Sequence, residues 1–557
     1  MSRETKLLTR IKELEDELAK TKKQKRYGLV WEDKKEDVVE RCKHELPVLV
    51  CDEGKTISED PNGQTHILIE WDNFHALSVL AYTHAGKVDV IYIDPPYNTW
   101  NQSWRYNNDY VDKEDPWRHS KWLSMMSNRL QIAKKILSRN WVIIVAIDDY
   151  EVHTLWLLLE EYFPTHTLDL IIVEHHPQWA WSNTVSRTHE YAYILTPIWV
   201  WFQGRVTTEE EWSWSLKRTW QWENNWRRNR PKQFFSILVN EETHEVVGVG
   251  DNIWRDDSYP TGYDTNGCLM MYPLDREWWE RCWRYNRESM QVLISEWKII
   301  YTERWSLIVR KDTVNAKPVF SIWKDSRYNA GTHWSALLNK IMWTNNLFPY
   351  PKSLWNVYDL LSIALWNRDW VILDFFAGSG TTGHAVLELN KEDGWNRQFI
   401  LCTNNENKIA EEVTYPRIRN VIKWYSDVEG IPANLRYYRT DFISTDKSID
   451  DLRHKFILRC TEMLQVRESC FDVSTLNGDE YFQVFENRDL MLAILYHPYE
   501  IKRLKEIITQ TQKPIVAYIF SMGMEIFQEE LAEYGEKIRI ETVPDEILET
   551  YKKIFGF

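Results

Sequence analysis

The sequence predicts an α/β protein: a parallel sheet built in two halves, interrupted by a large insertion and followed by a small C-terminal α/β domain. Three observations carry that reading. The apolar run Val88-Asp89-Val90-Ile91-Tyr92-Ile93 ends in Asp94-Pro95-Pro96-Tyr97, a buried strand entering a loop that its prolines stiffen. A second run, Val371-Ile372-Leu373, leads into Asp374-Phe375-Phe376-Ala377-Gly378-Ser379-Gly380-Thr381-Thr382-Gly383, a glycine-rich turn opening a helix. Around both runs strand and helix patterns alternate, as they do in parallel sheets.

Taken in order, residues 1–25 read as a helix, with Leu7, Ile11, Leu14 and Leu18 at heptad-like spacing and charges between them. Such a stretch is a short coiled-coil seam or a docking helix. An N-terminal helical segment is expected over 1–45 and the first half of the sheet over 46–165. Within that half a helix is predicted from about Lys121 to Leu137, then a strand Val142–Ile147 ending in Asp148-Asp149. From 166 to 335 short β-type runs (Leu168–Val173, Tyr191–Leu195, Phe234–Leu238, Lys298–Tyr301, Ser306–Arg310) alternate with polar, aromatic-rich loops and read as the insertion. The second half of the sheet is expected over 336–435. Over 436–557 the strands Met491–Tyr496, Pro514–Phe520 and Lys537–Thr542 suggest a separate small domain.

Composition narrows the function classes. The chain is 43% hydrophobic and 27% charged, with no apolar stretch long enough to span a bilayer. Its N-terminus is charged, unlike a signal peptide. Seven cysteines lie scattered without a close Cys-x-x-Cys pair, which argues against a zinc site or a disulfide framework and for a reducing cytoplasm. The net charge of -15 opposes nucleic-acid binding only as a sum, since the local field decides. The stretch Lys217-Arg218 to Lys232 is basic, containing Arg227, Arg228 and Arg230 interleaved with Trp220, Trp222 and Trp226. Either a solvated loop or a DNA contact fits it.

Tryptophan usage is anomalous, with 31 Trp against 19 Gly, where average usage would give roughly 39 Gly. Trp100, Trp141, Trp305 and Trp395 stand where turn residues are expected. Glycine codons of the UGA type, translated as tryptophan, would produce this pattern; so would a chain that stacks many indoles on bases.

Together the two motifs resemble the catalytic and cofactor motifs of amino-group DNA methyltransferases that use S-adenosylmethionine, and their order resembles the β-class arrangement. The resemblance implies a Rossmann-like sheet, with Asp94, Pro95, Pro96 and Tyr97 catalytic and Asp374, Phe376, Ala377, Gly378, Ser379, Gly380 and Thr381 at the cofactor. An exocyclic adenine amine is a poor nucleophile because its lone pair is delocalised. Asp94 can accept one N–H and the Pro95 carbonyl the other, while Tyr97 offers a face for an extruded base. Asp94 then orients the amine and stabilises developing positive charge. Alone, the Gly-x-Gly-x-x-Gly spacing equally suits a dinucleotide. Glu406, after the strand Gln398–Cys402, suits ribose hydroxyls or caps a helix. Lys352, in Phe348-Pro349-Tyr350-Pro351-Lys352-Ser353, meets the cofactor carboxylate or merely starts a helix. Asp148 and Asp149 line the cleft or cap the following helix, and Cys402 is expected in the core.

The resemblance is nearest to the modification (Mod) subunits of type III restriction-modification systems, through Tyr106–Tyr110, His119–Leu123, Arg228–Phe235, Tyr272–Leu274 and Arg284–Asn286 as well. It implies adenine-N6 methylation of double-stranded DNA by base flipping. It further implies recognition of a short asymmetric site through the insertion, with Arg227, Arg228, Arg230 and Lys232 on DNA. A homodimer and a separate helicase-nuclease restriction subunit are the implied partners, since the chain carries no P-loop of its own. Trp100 and Trp141 put bulk where that family has small residues. A solitary adenine methyltransferase, a non-catalytic DNA-binding relative and a dinucleotide-dependent oxidoreductase are the competing readings.

Overall fold

The computed structural model describes residues 31–97, 117–175, 185–200, 213–218, 225–241, 243–275, 277–296, 298–301, 307–310, 319–344, 348, 351–364, 369–445, 449–457, 459–520 and 525–556. The predicted helix over 1–25, Trp100, Tyr106–Tyr110, Trp220, Trp222, Trp305, Pro349 and Tyr350 lie outside them.

Numbered in chain order, the strands along the main sheet are β1 (Glu45–Cys51), β2 (Thr65–Glu70), β3 (Val88–Ile93), β4 (Leu137–Ile147), β5 (His166–Glu174), β6 (His189–Pro197), β7 (Ile322–Trp323), β8 (Val371–Asp374), β9 (Gln398–Thr403) and β10 (Asn434–Ser444), with the short strand Ile57–Ser58 paired beside them to β10. Their spatial order is β1-β10-β2-β9-β8-β3-β4-β6-β5-β7. The six strands from β10 to β4 run parallel; β1 at one side and β6 at the other are antiparallel to their inner neighbours. Helices α1 (Asn73–Thr83), α2 (Arg118–Ile136) and α3 (Val152–Tyr162) cover one face. On the other lie α4 (Ala330–Met342), α5 (Leu354–Ala364), α6 (Thr381–Asp393) and α7 (Tyr415–Lys423).

Two covered faces explain why the central strands read as continuous apolar runs. In β3, Ile91 and Ile93 join the core beneath α1–α3, whereas Val90 and Tyr92 join the core beneath α5–α7. The same alternation runs through β4, where Ile143 and Val145 oppose Val142 and Ile144.

Three sequence expectations change. The strands β5 and β6, expected in the insertion, extend the main sheet, and the separate unit spans Gln203–Pro318. β6 takes the free edge of β4 and β5 pairs with β6, by backbone pairing that side-chain period does not encode. Residues 436–557 do not stand apart either. Their five-stranded sheet contributes Leu492, Ile494, Val516 and Tyr518 to the core that also holds α1, and Tyr551 Oη donates to the Pro47 carbonyl. Trp141 is no turn residue: it is buried in β4, its ring 5.1 Å from Phe163 and 4.5 Å from His166.

The Gln203–Pro318 unit holds two three-stranded antiparallel sheets and the helix Arg287–Ser295 around Leu216, Phe235, Ile237, Val239, Trp283 and Met290. The strand expected at Phe234–Leu238 begins at Ile237, because Pro231–Gln233 form a tight turn that delivers Phe234 and Phe235 into the interior.

Candidate active site

Strands β3 and β8 are neighbours and parallel, with Val90 opposite Ile372 and Ile91 opposite Leu373. Their carboxyl ends therefore release Asp94 and Asp374 at one sheet edge, the edge where open α/β sheets bind ligands. A single cleft is lined there by Tyr92, Asp94, Pro96, Phe348, Lys352 and Asp374, together with Phe376, Ala377, Gly378, Ser379, Thr381 and Thr382. Its empty space, with the open mouth and the solvent in it included, is about 580 Å³.

The glycine loop has the geometry its sequence requires. Gly378 and Gly380 adopt left-handed backbone, φ 50° and 78°, and Gly380 caps the start of α6. At Gly383 a Cβ would approach Ile418 to 2.9 Å and Leu401 to 3.0 Å, so glycine lets α6 lie close on β9. Asp374 braces the loop, accepting from the Phe376 N–H at 2.9 Å and from the Thr382 hydroxyl. Its burial, with the Asp94 charge nearby, pushes its carboxyl up to about 7 despite those donors. Behind the loop, buried Arg417 donates to the Thr381 hydroxyl at 2.7 Å and the Ser379 hydroxyl at 3.0 Å. No carboxylate pairs with Arg417 among the described residues, and burial lowers its guanidinium to about 9.

The Asp94 side is a charged network. Tyr97 donates its hydroxyl to Asp94 Oδ1, and Lys352 Nζ lies 3.4 Å from the same oxygen. Lys352 also donates to Tyr97 Oη and to Glu190 Oε2, while Asn356 Nδ2 donates to Glu190 Oε1 at 2.9 Å. Burial raises the Asp94 carboxyl above its ordinary range, the Lys352 charge opposes that, and the Glu190 charge adds to it. Trp122 Nε1 donates to the Pro96 carbonyl at 2.7 Å and pins the loop to α2.

Of the residues singled out by sequence, Asp94, Pro96, Lys352, Asp374, Phe376, Ala377, Gly378, Ser379 and Thr381 line the cleft. Tyr97 does not: its ring is buried under the Lys352 ammonium, 4.6 Å from the centroid, so stacking a base on it requires Lys352 to move. Pro95 and Gly380 lie in the flanking backbone. Glu406 sits at the end of β9, in contact with Asn404 at 3.5 Å and outside the cleft lining. Asp148 accepts from the Tyr150 N–H at 2.9 Å and is pushed up to about 7 by burial. Asp149 accepts from Tyr191 and pairs with Arg187 at 3.2 Å. Cys402 is in the core.

In the separate unit, Arg227 is a structural residue and not a free DNA ligand. Only 4% exposed, it pairs with Glu280 at 2.9 Å and donates to the carbonyls of Trp254 and Asp257. A guanidinium on a tight turn folds inward when carbonyls and the Phe234 ring, 4.5 Å away, await it. Arg228 and Lys232 are exposed and Arg230 half-buried.

Sequence reasoning missed Glu190. Strand β6 runs antiparallel to β4, with Tyr191 opposite Ile147. An antiparallel strand enters the sheet from the cleft edge, so its first residues, not its last, reach the site. The available signal was a carboxylate beside the apolar run Tyr191–Leu195.

The model of the DNA methylase family (N6_N4_Mtase) matches residues 88–414, more than half of the 557. The chain belongs to that family. It is 27% identical over 547 residues to the type III restriction-modification enzyme EcoPI Mod subunit of Escherichia phage P1, covering 86% of this chain and 78% of that protein. To the type II methyltransferase M.KpnI of Klebsiella pneumoniae it is 26% identical over 384 residues, covering 65% of this chain and 86% of the relative. Among solved structures, a DNA modification methylase from Thermus thermophilus, complexed with S-adenosyl-L-methionine, matches at 14% identity and TM-score 0.30. That match covers 66% of this chain and 98% of the other. The family match spans both the Asp94 and the Asp374 motifs, and it disfavours the oxidoreductase reading of the glycine loop.

Proposed function

We propose that this DNA methylase transfers a methyl group from S-adenosylmethionine to N6 of adenine in double-stranded DNA, as the modification subunit of a type III restriction-modification system. The observation that carries the reading is the shared cleft: Asp94 and the Gly378–Thr381 loop line one cavity from adjacent strand ends. The Mod subunits EcoPI, StyLTI and EcoP15I, at 25–27% identity, support the system assigned.

The residues present suit the cofactor. Left-handed glycines bring backbone close to a ligand, and the α6 N-terminus beside Arg417 favours a carboxylate. When bound, S-adenosylmethionine supplies a sulfonium methyl that leaves with its C–S bonding pair going to sulfur. In this reading Asp94 accepts one N–H of the extruded adenine, and the Pro95 carbonyl accepts the second. That geometry would turn the amine lone pair toward the methyl group, and the Asp94 charge would stabilise the cation formed until its proton passes to solvent water. Duplex adenine cannot reach the cleft without flipping.

The Gln203–Pro318 unit is proposed to read the target, with Arg228, Arg230 and Lys232 on phosphates. A homodimer and a helicase-nuclease subunit are the proposed partners, and the cytoplasm the proposed site of action. Tritium transfer from labelled S-adenosylmethionine to DNA tests the reaction. Wild type is expected to label adenine and Asp94→Ala to lose transfer by at least about 100-fold. Label recovered on cytosine would overturn the base assignment. Co-purification with a helicase-nuclease from the native host tests the system.

A further inference from the structure

Glu190 is buried at the amino end of β6, and both of its oxygens are engaged, one by Lys352 and one by Asn356. Lys352 lies between the two carboxylates, donating to Glu190 Oε2 and standing 3.4 Å from Asp94 Oδ1. On Asp94, Tyr97 donates to Oδ1, and Lys352 makes its nearest approach to the same oxygen. We infer that Glu190 is a positioning residue for methyl transfer: it holds the Lys352 ammonium off Asp94, so that the site keeps one surplus negative charge and Asp94 Oδ2 stays open to the adenine amine. This rests on the methyltransferase reading above.

The charge count gives the reason. Two carboxylates share one ammonium, so the cluster carries a net −1 that opposes the positive charge gathering on N6 in the transition state. Without Glu190, Lys352 would pair with Asp94 alone. The pair would then be neutral, and its N–H donors would compete with the substrate amine for the same carboxylate. Asn356 fixes Glu190, so the arrangement precedes substrate binding and needs no reorganisation. Burial works against the Glu190 carboxylate, but the Lys352 and His175 charges and the Lys352 and Asn356 hydrogen bonds outweigh it and hold Glu190 below its usual range, whereas burial raises Asp94. Among the described residues, the other titratable groups facing this cluster are Tyr92 and Tyr97 on the Asp94 strand and its loop, Asp148 after β4, His175 after β5, and Asp374 on β8.

Four variants test the inference: Glu190→Gln, Glu190→Asp, Lys352→Met, and the double Glu190→Gln/Lys352→Met. Each is assayed for kcat, KM for S-adenosylmethionine, pH–rate profile and Tm. Glu190→Gln is expected to lower kcat about 100-fold with KM for the cofactor little changed, and Glu190→Asp to retain most of the rate. Rate requires ionised Asp94. Removing a neighbouring negative charge should therefore move the acid limb of Glu190→Gln to lower pH, and removing the ammonium should move that of Lys352→Met to higher pH. The double variant, restored to a net −1, should recover at least about tenfold over Glu190→Gln. A double variant no faster than Glu190→Gln, or acid limbs shifted in one direction by both single changes, would overturn the inference. If Glu190→Gln fails to fold, the Lys352→Met limb and the Glu190→Asp rate still decide it. An active wild type with an unaffected Glu190→Gln sinks this inference alone, whereas a wild type that transfers no methyl group sinks the underlying reading and this with it.

Discussion

Asp374 shows how one buried carboxylate serves two ends. Its oxygens shape the glycine loop through Phe376 and Thr382, yet burial makes its ionised form costly, with the carboxyl raised from 3.8 to about 7. Because the folded-state value lies above the unfolded one, the folded protein binds the extra proton between those values. The Asp374 contribution to stability therefore falls as pH rises from about 4 to about 7 and is level above that. Asp374→Asn keeps an acceptor for the Phe376 N–H and removes the charge. It is expected to match wild type near pH 4 and to exceed it increasingly up to pH 7, by at most ~4 kcal/mol. Calorimetric Tm across that range checks it; a variant that loses stability relative to wild type as pH rises would show that the donors outweigh burial.

Among the secondary-structure elements, what could be read from sequence was what local chemistry dictates. The turn at Gly378–Gly383 was legible because left-handed backbone and close helix packing each demand glycine at a fixed offset. The loop at Asp94 was legible because two prolines follow a strand. Glu190 was not, since its place depends on β6 pairing backwards against β4, a choice made between segments far apart in sequence. The inward fold of Arg227 was hidden likewise, because Glu280, Trp254 and Asp257 approach from later segments. Tryptophan divides along the same line. Trp278 and Trp343 hold left-handed backbone, φ 64° and 49°, and are exposed, which is strained for a side chain with Cβ and suits glycine. Trp278→Gly is expected to be neutral or to stabilise by ~1 kcal/mol. Trp141→Gly should cost ~3–5 kcal/mol by emptying the site between Phe163 and His166. Urea denaturation of both compares them directly. Mass spectrometry of natively expressed peptides then reads whether glycine stands at 278 and 343 in the source.

For the whole molecule, a net charge of -15 and a DNA substrate are compatible only if the cations that meet phosphate are local and free. The structure separates free cations from committed ones. Arg227 is consumed by Glu280 and two carbonyls, whereas Arg228, 6.0 Å from the Trp226 ring, and Lys232 are exposed. Binding through the latter releases counterions, so affinity should fall with salt at roughly 0.9 per phosphate neutralised on a log–log plot. Replacing both Arg228 and Lys232 by Ala is expected to lower that slope by about 2, weaken all DNA sequences alike, and leave Tm and cofactor affinity unchanged. Arg227→Ala should instead lower Tm, because it leaves the Trp254 and Asp257 carbonyls without this donor and removes the ion pair to Glu280. Fluorescence anisotropy over a salt series, with Tm measured beside it, distinguishes the two. A slope untouched by the double change would mean that phosphate meets another surface of the molecule, and the assignment of this basic stretch to DNA would fall.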